Sequence, residues 1–557
     1  MIKFALSNTA RNGYNRGMPP SLAIPDAVRN VITALHGAGF EAYAVGGCVR
    51  DLLLGRKPGD WDVTTNATPE EIRKIFPESF YENKFFTVTV KTDAADESLR
   101  EIEVTTFRSE GRYGDRRHPE DVKPAKTLEE DLGRRDFTVN AIALDIGHSA
   151  ELSRSLEGMA PKIIDPHDGR HDIAGRIIRA VGNPAERFGE DALRMLRAVR
   201  LATDLGFAIE PETAAAIRSH ASSLRAISKE RIRDEFSKIL MAGESNSTEP
   251  PRTFGTLTDT PEAGGVPRSE RVRAIGGTRP WVGGELLEEL GLMQFIVPEL
   301  EEGIGCTQNK HHIFTVWEHN MRSLDYAARR GWGLAVRIGA LFHDVGKPQA
   351  KRGEGPDSTF YGHDVLGAKM TAGILSRLRY PEGFTDRVVK LIRWHLFRYD
   401  YEVDEVQTTD SSIRRLIRNV GVENIEDLVR VRMCDRIGSG VPKAVPYRLR
   451  HFQFRVEKVL REHEAVKVTM LRVNGEDVMR ILGIPPGPKI GHVLNVLLEE
   501  ALDDPAKNSR ENLESRTQNL GTLSDAELIK LREQAEARFE LLEDQREEEI
   551  KKKYYVR

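Results

Sequence analysis

The chain has 557 residues, with 82 Lys and Arg against 86 Asp and Glu, a net charge of −4. So long a chain exceeds one hydrophobic core, and its near-neutral balance excludes a globally basic coat, leaving any nucleic-acid contact to a local basic surface. No apolar run approaches the roughly 18 residues of a membrane span. Three scattered cysteines, Cys48, Cys306 and Cys434, exclude a disulfide framework or a CxxC metal site and suit a reducing cytoplasm.

Residues 1–25 contain no acid and lack the continuous apolar stretch of a secretory signal, so they read as a loose tail. An amphipathic helix follows over residues 26–40, then a strand, EAYAV, a glycine turn, a short helix, VRDLLLG, and a second strand, WDVTT. FFTVTVKT and EIEVTTF alternate with period two and read as paired strands of a mixed sheet. From about Asp172 the period becomes helical and stays so. The expected class is therefore α+β, a head over 26–170 with a small mixed sheet followed by mostly helical parts. Those parts are divided as a neck over 171–300, a third domain over 301–460 and a helical body and tail over 461–557. The stretch 243–280, rich in Gly, Pro, Ser and Thr, reads as a flexible insertion. The charged C-terminal segment reads as a solvated helix or weak coiled coil.

The segment AVGGCVRDLLLGRKPGDWDVTTN carries the first chemistry. Gly46 and Gly47 stand where a strand passes into a helix, so unpaired backbone N–H groups and a positive helix end meet there, suited to phosphate. Asp60 and Asp62 are two apart, and an extended backbone sends both carboxylates to one face and Trp61 to the other. Like charges so placed are best tolerated around a cation. Phosphate donors beside a metal seat are what nucleotidyl transfer needs. Of Glu101 and Glu103, which share a strand face, Glu103 is chosen as the third carboxylate.

Gly46-Gly47-x-x-Arg50-Asp51 followed by Asp60-x-Asp62 resembles the first motif of the class II tRNA nucleotidyltransferase and bacterial poly(A) polymerase superfamily. RRDFTVNAIALD, DPHDGRHDI, GEDALRMLRAVRLA and SKERIRDEF resemble its second to fifth motifs, in order. The resemblance implies Mg2+ on Asp60 and Asp62, with nucleotide contacts from Gly46, Gly47, Arg50, Asp136, Asn140, Asp191, Arg194 and Arg197. Asp191 and Arg194, three apart on an expected helix, would read the base. A carboxylate accepts and a guanidinium donates, which matches cytosine and adenine and mismatches uracil and guanine. Asp165, Asp168 and Gly169 would shape the join of head and neck.

The sequence YENKFFTVTV is nearer to the CCA-adding pattern than to the basic segment of the poly(A) polymerases, although Phe86 stands where glycine is usual. Arg108, Arg112, Arg116 and Arg117 lie in a segment similar to the flexible loop of the CCA-adding group and could meet RNA phosphate. Further on, His319, His343-Asp344 and Asp435, with His363 and His395 as additional candidates and Lys347 in HDVGKP, resemble the HD-domain metallophosphohydrolases. Imidazoles and carboxylates together suit Mn2+, Ni2+ or Mg2+.

The resemblance thus implies CCA addition to tRNA 3′ ends from CTP and ATP in the cytoplasm, the C-terminal body binding tRNA, with no membrane or DNA partner. Poly(A) or partial CCA addition by the same site, phosphohydrolysis by the HD region as the main activity, and a non-catalytic RNA-binding role are the rival readings.

Overall fold

The computed structural model describes residues 23–82, 86–110, 122–147, 161–243, 278–309, 313–397, 410–464, 471–503, 507–531, 533–534 and 551–555. Most of the expected tail, insertion and C-terminal charged segment, together with Arg112, Arg116 and Arg117, lie outside them. The chain forms two compact units. One runs to Arg393 and takes in Ile437–Gly440; the other comprises Trp394–Arg436 and the chain from Val441.

The first unit begins with α1 (Asp26–Gly37), which buries Val28, Val31, Ile32 and Leu35, the spacing of one helical face. Next come β1 (Ala42–Val45), α2 (Gly47–Leu53), β2 (Asp62–Thr65), α3 (Pro69–Ile75), β3 (Ser79–Glu82), β4 (Thr87–Lys91) and β5 (Glu101–Thr106). A two-stranded ribbon, β6 (Arg108–Glu110) with β7 (Val122–Pro124), precedes α4 (Leu128–Gly133), β8 (Ala143–Asp145) and β9 (Lys162–Ile164). Seven strands make one mixed sheet in the order β3-β4-β5-β2-β1-β8-β9. Within it β2 and β5 run parallel, and the other pairs are antiparallel. Period two decides the faces of β5, where Ile102, Val104 and Thr106 are buried while Glu101 and Glu103 are exposed.

The α+β expectation therefore holds, with differences of detail. Asp60 precedes β2, in a bend, because the strand begins only at Asp62. Three strands, β3, β8 and β9, are too short to carry a readable alternation. Phe86 has φ 55°, a left-handed conformation that glycine adopts without strain. A glycine preference at that position thus has a backbone cause.

Helices α5 (Gly169–Gly175), α6 (Pro184–Glu190), α7 (Leu193–Leu205), α8 (Pro211–His220), α9 (Lys229–Met241) and α10 (Pro280–Glu289) follow. Almost every side chain of α7 from Leu193 to Leu205 is buried, so it is the central rod of the helical part. A single apolar core runs from α1 and the sheet through α7 and α9 to Ile338, Leu341 and Ile392. The unit continues through α11 (Val316–Arg329), capped by a reciprocal Thr315–Glu318 pair, α12 (Leu334–Phe342) and α13 (His363–Arg377).

In the second unit, short amphipathic helices over Gly475–Leu482, Pro488–Asp503 and Arg510–Gly521 bury Val478, Val493, Leu497, Leu513 and Leu520 in a core of their own. Among the described residues no helix is long and apolar enough to cross a membrane.

Candidate functional site

The head site is built on the parallel β2–β5 pair, whose register sets Asp62 directly opposite Glu103. Parallel pairing was not readable from sequence, yet it is what brings the third carboxylate beside the first two. Burial pushes the Asp62 carboxyl up to about 6, with the charges of Asp60 and Glu103 adding and Arg135 opposing. Asp60 and Glu103 both raise the cost of ionising Asp62, so the three acids offer a hard-oxygen donor set, which fits Mg2+. Trp61, between the two aspartates, is buried. Cys48 lies behind the site, its thiol pushed up to about 12 by burial, so it stays protonated.

Gly46 follows β1 with φ 85° and caps the start of α2. One turn into that helix, Arg50 donates to Asp51 Oδ1 (2.9 Å) and to Asn140 Oδ1 (2.7 Å). Asn140 donates in turn to Asp136 Oδ1 (3.4 Å), and Asp136 Oδ2 accepts from Arg197 Nε (2.7 Å). Three distant parts of the chain, at Arg50, Asp136 with Asn140, and Arg197, thus share one network. Burial opposes the charge of Asp136, but Arg197 and Arg194 outweigh it and hold the carboxyl down at about 2.

Asp191 does not lie on a helix face with Arg194. It occupies the extended junction between α6 and α7 (φ −140°, ψ 106°), where Oδ1 accepts from the backbone N–H of Leu193 (3.0 Å). Arg194, nearly buried, donates to Glu190 Oε2 (2.5 Å) and to the carbonyl of Arg134 (3.2 Å). The helix break reflects a competition that spacing cannot show: an Asp side chain capping α7 is worth more there than one further helical residue.

Several charged residues of this site were not singled out from sequence. Asp131 is fully buried and accepts from Arg134 (2.7 Å), Arg135 (3.4 Å), Thr64 (3.2 Å) and the backbone N–H of Arg108 (3.3 Å). Burial works against its charge, yet Arg134 and Arg135 hold its carboxyl below the ordinary value. Arg108 therefore has its main chain tied to the head core. Arg231 and Glu235 lie on α9, and Glu235 is buried beside Arg200 (2.8 Å). An acid on the apolar face of an amphipathic helix was the available signal. Asp165, which the sequence marks for the join of head and neck, receives the backbone N–H groups of Gly169 (2.8 Å) and Arg170 (2.9 Å) and so ties down the start of α5.

A second cluster lies in the first unit. His319 on α11, His343 and Asp344 just after α12, and His363 opening α13 are all buried. His319 Nε2 is 2.8 Å from His343 Nε2 and 3.0 Å from Asp344 Oδ2. His363 Nε2 is 3.3 Å from Asp344 Oδ1, and Lys347 Nζ is 2.7 Å from Asp344 Oδ2. Backbone carbonyls of Ala340 (2.8 Å) and Phe360 (2.7 Å) take the Nδ1 positions of His343 and His363. That leaves both Nε2 atoms as inward-facing acceptors, the arrangement metal-binding imidazoles use. Burial lowers the His319 imidazole below its ordinary value despite Asp344, which keeps it neutral and able to ligate. Convergent imidazoles and a carboxylate fit a borderline divalent cation. His395 and Asp435 belong to the second unit, where both are buried and Asp435 pairs with Arg432 (2.6 Å).

Three family models match the chain: the Poly A polymerase head domain over residues 42–179, the probable RNA and SrmB-binding site of polymerase A over 206–248, and the HD domain over 316–436. The A-adding tRNA nucleotidyltransferase of Deinococcus radiodurans is 32% identical over 385 residues, 67% of this chain and 75% of the relative. The chain belongs to the class II tRNA nucleotidyltransferase family. Within that family, the CCA-adding enzyme of Geobacillus stearothermophilus is 47% identical over 211 residues, 38% of this chain and 48% of the enzyme. The chain thus spans about half the length of the first curated relatives it matches. The crystal structure of the Bacillus stearothermophilus CCA-adding enzyme in complex with CTP is 26% identical, with a TM-score of 0.50, covering 89% of this chain and 96% of that one.

Proposed function

We propose that the chain adds C, C and A to tRNA 3′ ends from CTP and ATP without a template, in the cytoplasm. The observation that carries this reading is the pairing of Asp62 with Glu103 beside Asp60, next to the network joining Arg50, Asn140, Asp136 and Arg197. Identity of 47% to a CCA-adding enzyme over 211 residues supports it.

Asp60 and Asp62, aided by Glu103, would hold Mg2+. When bound, the cation neutralises the triphosphate, acidifies the attacking hydroxyl and stabilises the departing pyrophosphate. The tRNA 3′-oxygen bonds to the α-phosphorus as the bond to the β-phosphate bridge breaks, and the hydroxyl proton leaves to solvent. Gly46 and Gly47 let the phosphates approach the backbone. Arg50, braced by Asp51 and Asn140, and Arg197, braced by Asp136, fix the sugar and phosphates. Asp191 and Arg194 supply one acceptor and one set of donors for the base edge. Arg108, Arg112 and Arg116 are assigned to RNA phosphate.

Incubating purified protein with tRNA lacking its CCA end, Mg2+ and each labelled nucleotide, then sequencing the ends, tests this. Addition of C, C and A that stops there is expected, and Asp60→Ala should lose incorporation while retaining tRNA binding. Normal incorporation by that variant would overturn the assignment. Similarity to an A-adding relative over 67% of the chain favours a second reading, addition of A alone to tRNA already ending in CC. Sequenced ends separate the two.

The buried cluster supports an accessory metal-dependent phosphohydrolase on the HD region. His319, His343, Asp344 and His363, all of the first unit, would hold Mn2+, Ni2+ or Mg2+.

A further inference from the structure

Two residues of α9, Arg231 and Glu235, stand one turn apart and so share a face. Each meets a charged neighbour of opposite sign. Arg231 Nη2 donates to Asp191 Oδ2 (2.6 Å) and Nη1 to Oδ1 (3.4 Å). Glu235 lies 2.8 Å from Arg200 and 3.9 Å from Arg197. The helix therefore backs two residues assigned to the nucleotide, without itself contributing to that assignment.

The count at Asp191 is specific. A carboxylate offers about four acceptor positions. Leu193 N–H (3.0 Å) and Arg231 Nη1 take two on Oδ1, and Arg231 Nη2 takes one on Oδ2. One position on Oδ2 is left, on a side chain still 16% exposed. A single amino N–H, as cytosine or adenine presents, fills it. A carbonyl oxygen, as uracil or guanine presents at the same place, meets a fixed negative charge. A carboxylate held at only one oxygen could instead rotate away from the mismatched base. We propose that Arg231 is the positioning residue that makes Asp191 a rigid single acceptor, and hence a specificity determinant for amino-bearing bases; this rests on the base-reading role given to Asp191 above.

The test compares Arg231→Met and Arg231→Lys with Asp191→Ala in full-length protein, measuring KM and kcat for CTP and the ratio of CTP to UTP incorporation. Arg231→Met should raise KM for CTP about tenfold with kcat changed far less, and lower the CTP:UTP ratio about tenfold. Arg231→Lys, a point charge that cannot span both oxygens, should fall between. Unchanged KM and ratio in Arg231→Met, with only a lower Tm, would overturn the proposal by showing a purely structural ion pair. Should that variant not fold, unchanged values in Arg231→Lys overturn it equally. If Asp191→Ala itself keeps wild-type discrimination, the base-reading assignment fails and takes this proposal with it. Loss in Asp191→Ala beside wild-type discrimination in Arg231→Met places the failure at Arg231 alone.

Discussion

Gly46 and Asp62 approach so closely that a methyl group on the glycine would stand 3.6 Å from Oδ2 of the aspartate and 2.9 Å from Nη1 of Arg135. The glycine also has φ 85° with ψ −133°, a region open almost to glycine alone, which side-chain-bearing residues adopt at a cost of about 1–3 kcal/mol. Gly46→Ala should therefore lose that stability and displace Arg135 from Asp62. Nucleotide incorporation should fall by at least about tenfold, scored with a thermal melt beside the assay. Wild-type rates in a folded variant would show that this approach is not needed for phosphate binding.

Asp62→Asn separates charge from shape. With its folded-state carboxyl at about 6 and an ordinary value of 3.8, native Asp62 binds its proton more tightly than the unfolded chain does. Without metal, wild-type stability should accordingly decline as pH rises from about 4 to about 6, by on the order of 2 kcal/mol after allowance for partial exposure. The Asn variant should lack that decline, gain no stability from Mg2+ at the head and incorporate no nucleotide. Identical pH profiles for the two proteins would remove Asp62 from the repelling cluster.

Asp136 has the opposite sign. Its folded-state carboxyl is held at about 2 against an ordinary 3.8, so the stabilisation is present above about pH 4 and is lost as pH falls through 2. Asp136→Asn should cost about 2 kcal/mol at neutral pH and cost progressively less below pH 4. Urea denaturation at several pH values measures this. Equal loss at pH 7 and pH 3 would assign the cost to packing rather than to the pair with Arg197.

In the HD region, Asp344 is buried between His319, His343, His363 and Lys347; burial opposes its charge, but His343, the Lys347 ammonium and the imidazole contacts outweigh it and hold its carboxyl well below the ordinary value. Asp344→Asn leaves the Lys347 ammonium without its nearest anion and should cost roughly 3–5 kcal/mol. Against an Asp62→Asn background, Mn2+ should raise Tm in the parent and not in the double variant. Equal Mn2+ stabilisation of both would take Asp344 out of the ligand set. Metal-dependent phosphate release, if the region hydrolyses phosphate esters, should vanish with it.

Much of the architecture was legible because it rests on local periodicity. Period two marked EIEVTTF as a strand with Glu103 outward, and period 3.6 marked the helical remainder. The order of motifs identified the residues to examine and the family. Local signals fade where elements are short. Strands β3, β8 and β9 hold only three or four residues each, too few for alternation to register.

Sequence by itself determined which side chains are available: carboxylates at Asp60, Asp62 and Glu103, the Asp191–Arg194 spacing, and imidazoles at His319, His343 and His363. Their pairing was decided only by tertiary structure. The parallel register of β2 and β5 set Asp62 opposite Glu103, and a helix break at Asp191 sent its carboxylate to Arg231 instead of along a helix face. Three separate parts of the chain, Arg50, the Asp136–Asn140 segment and Arg197, became one network. The physical reason is common to all three. Buried charges must be matched by whichever opposite charge or dipole the packed fold brings within hydrogen-bond reach, and that partner is not encoded in the spacing of neighbours along the chain.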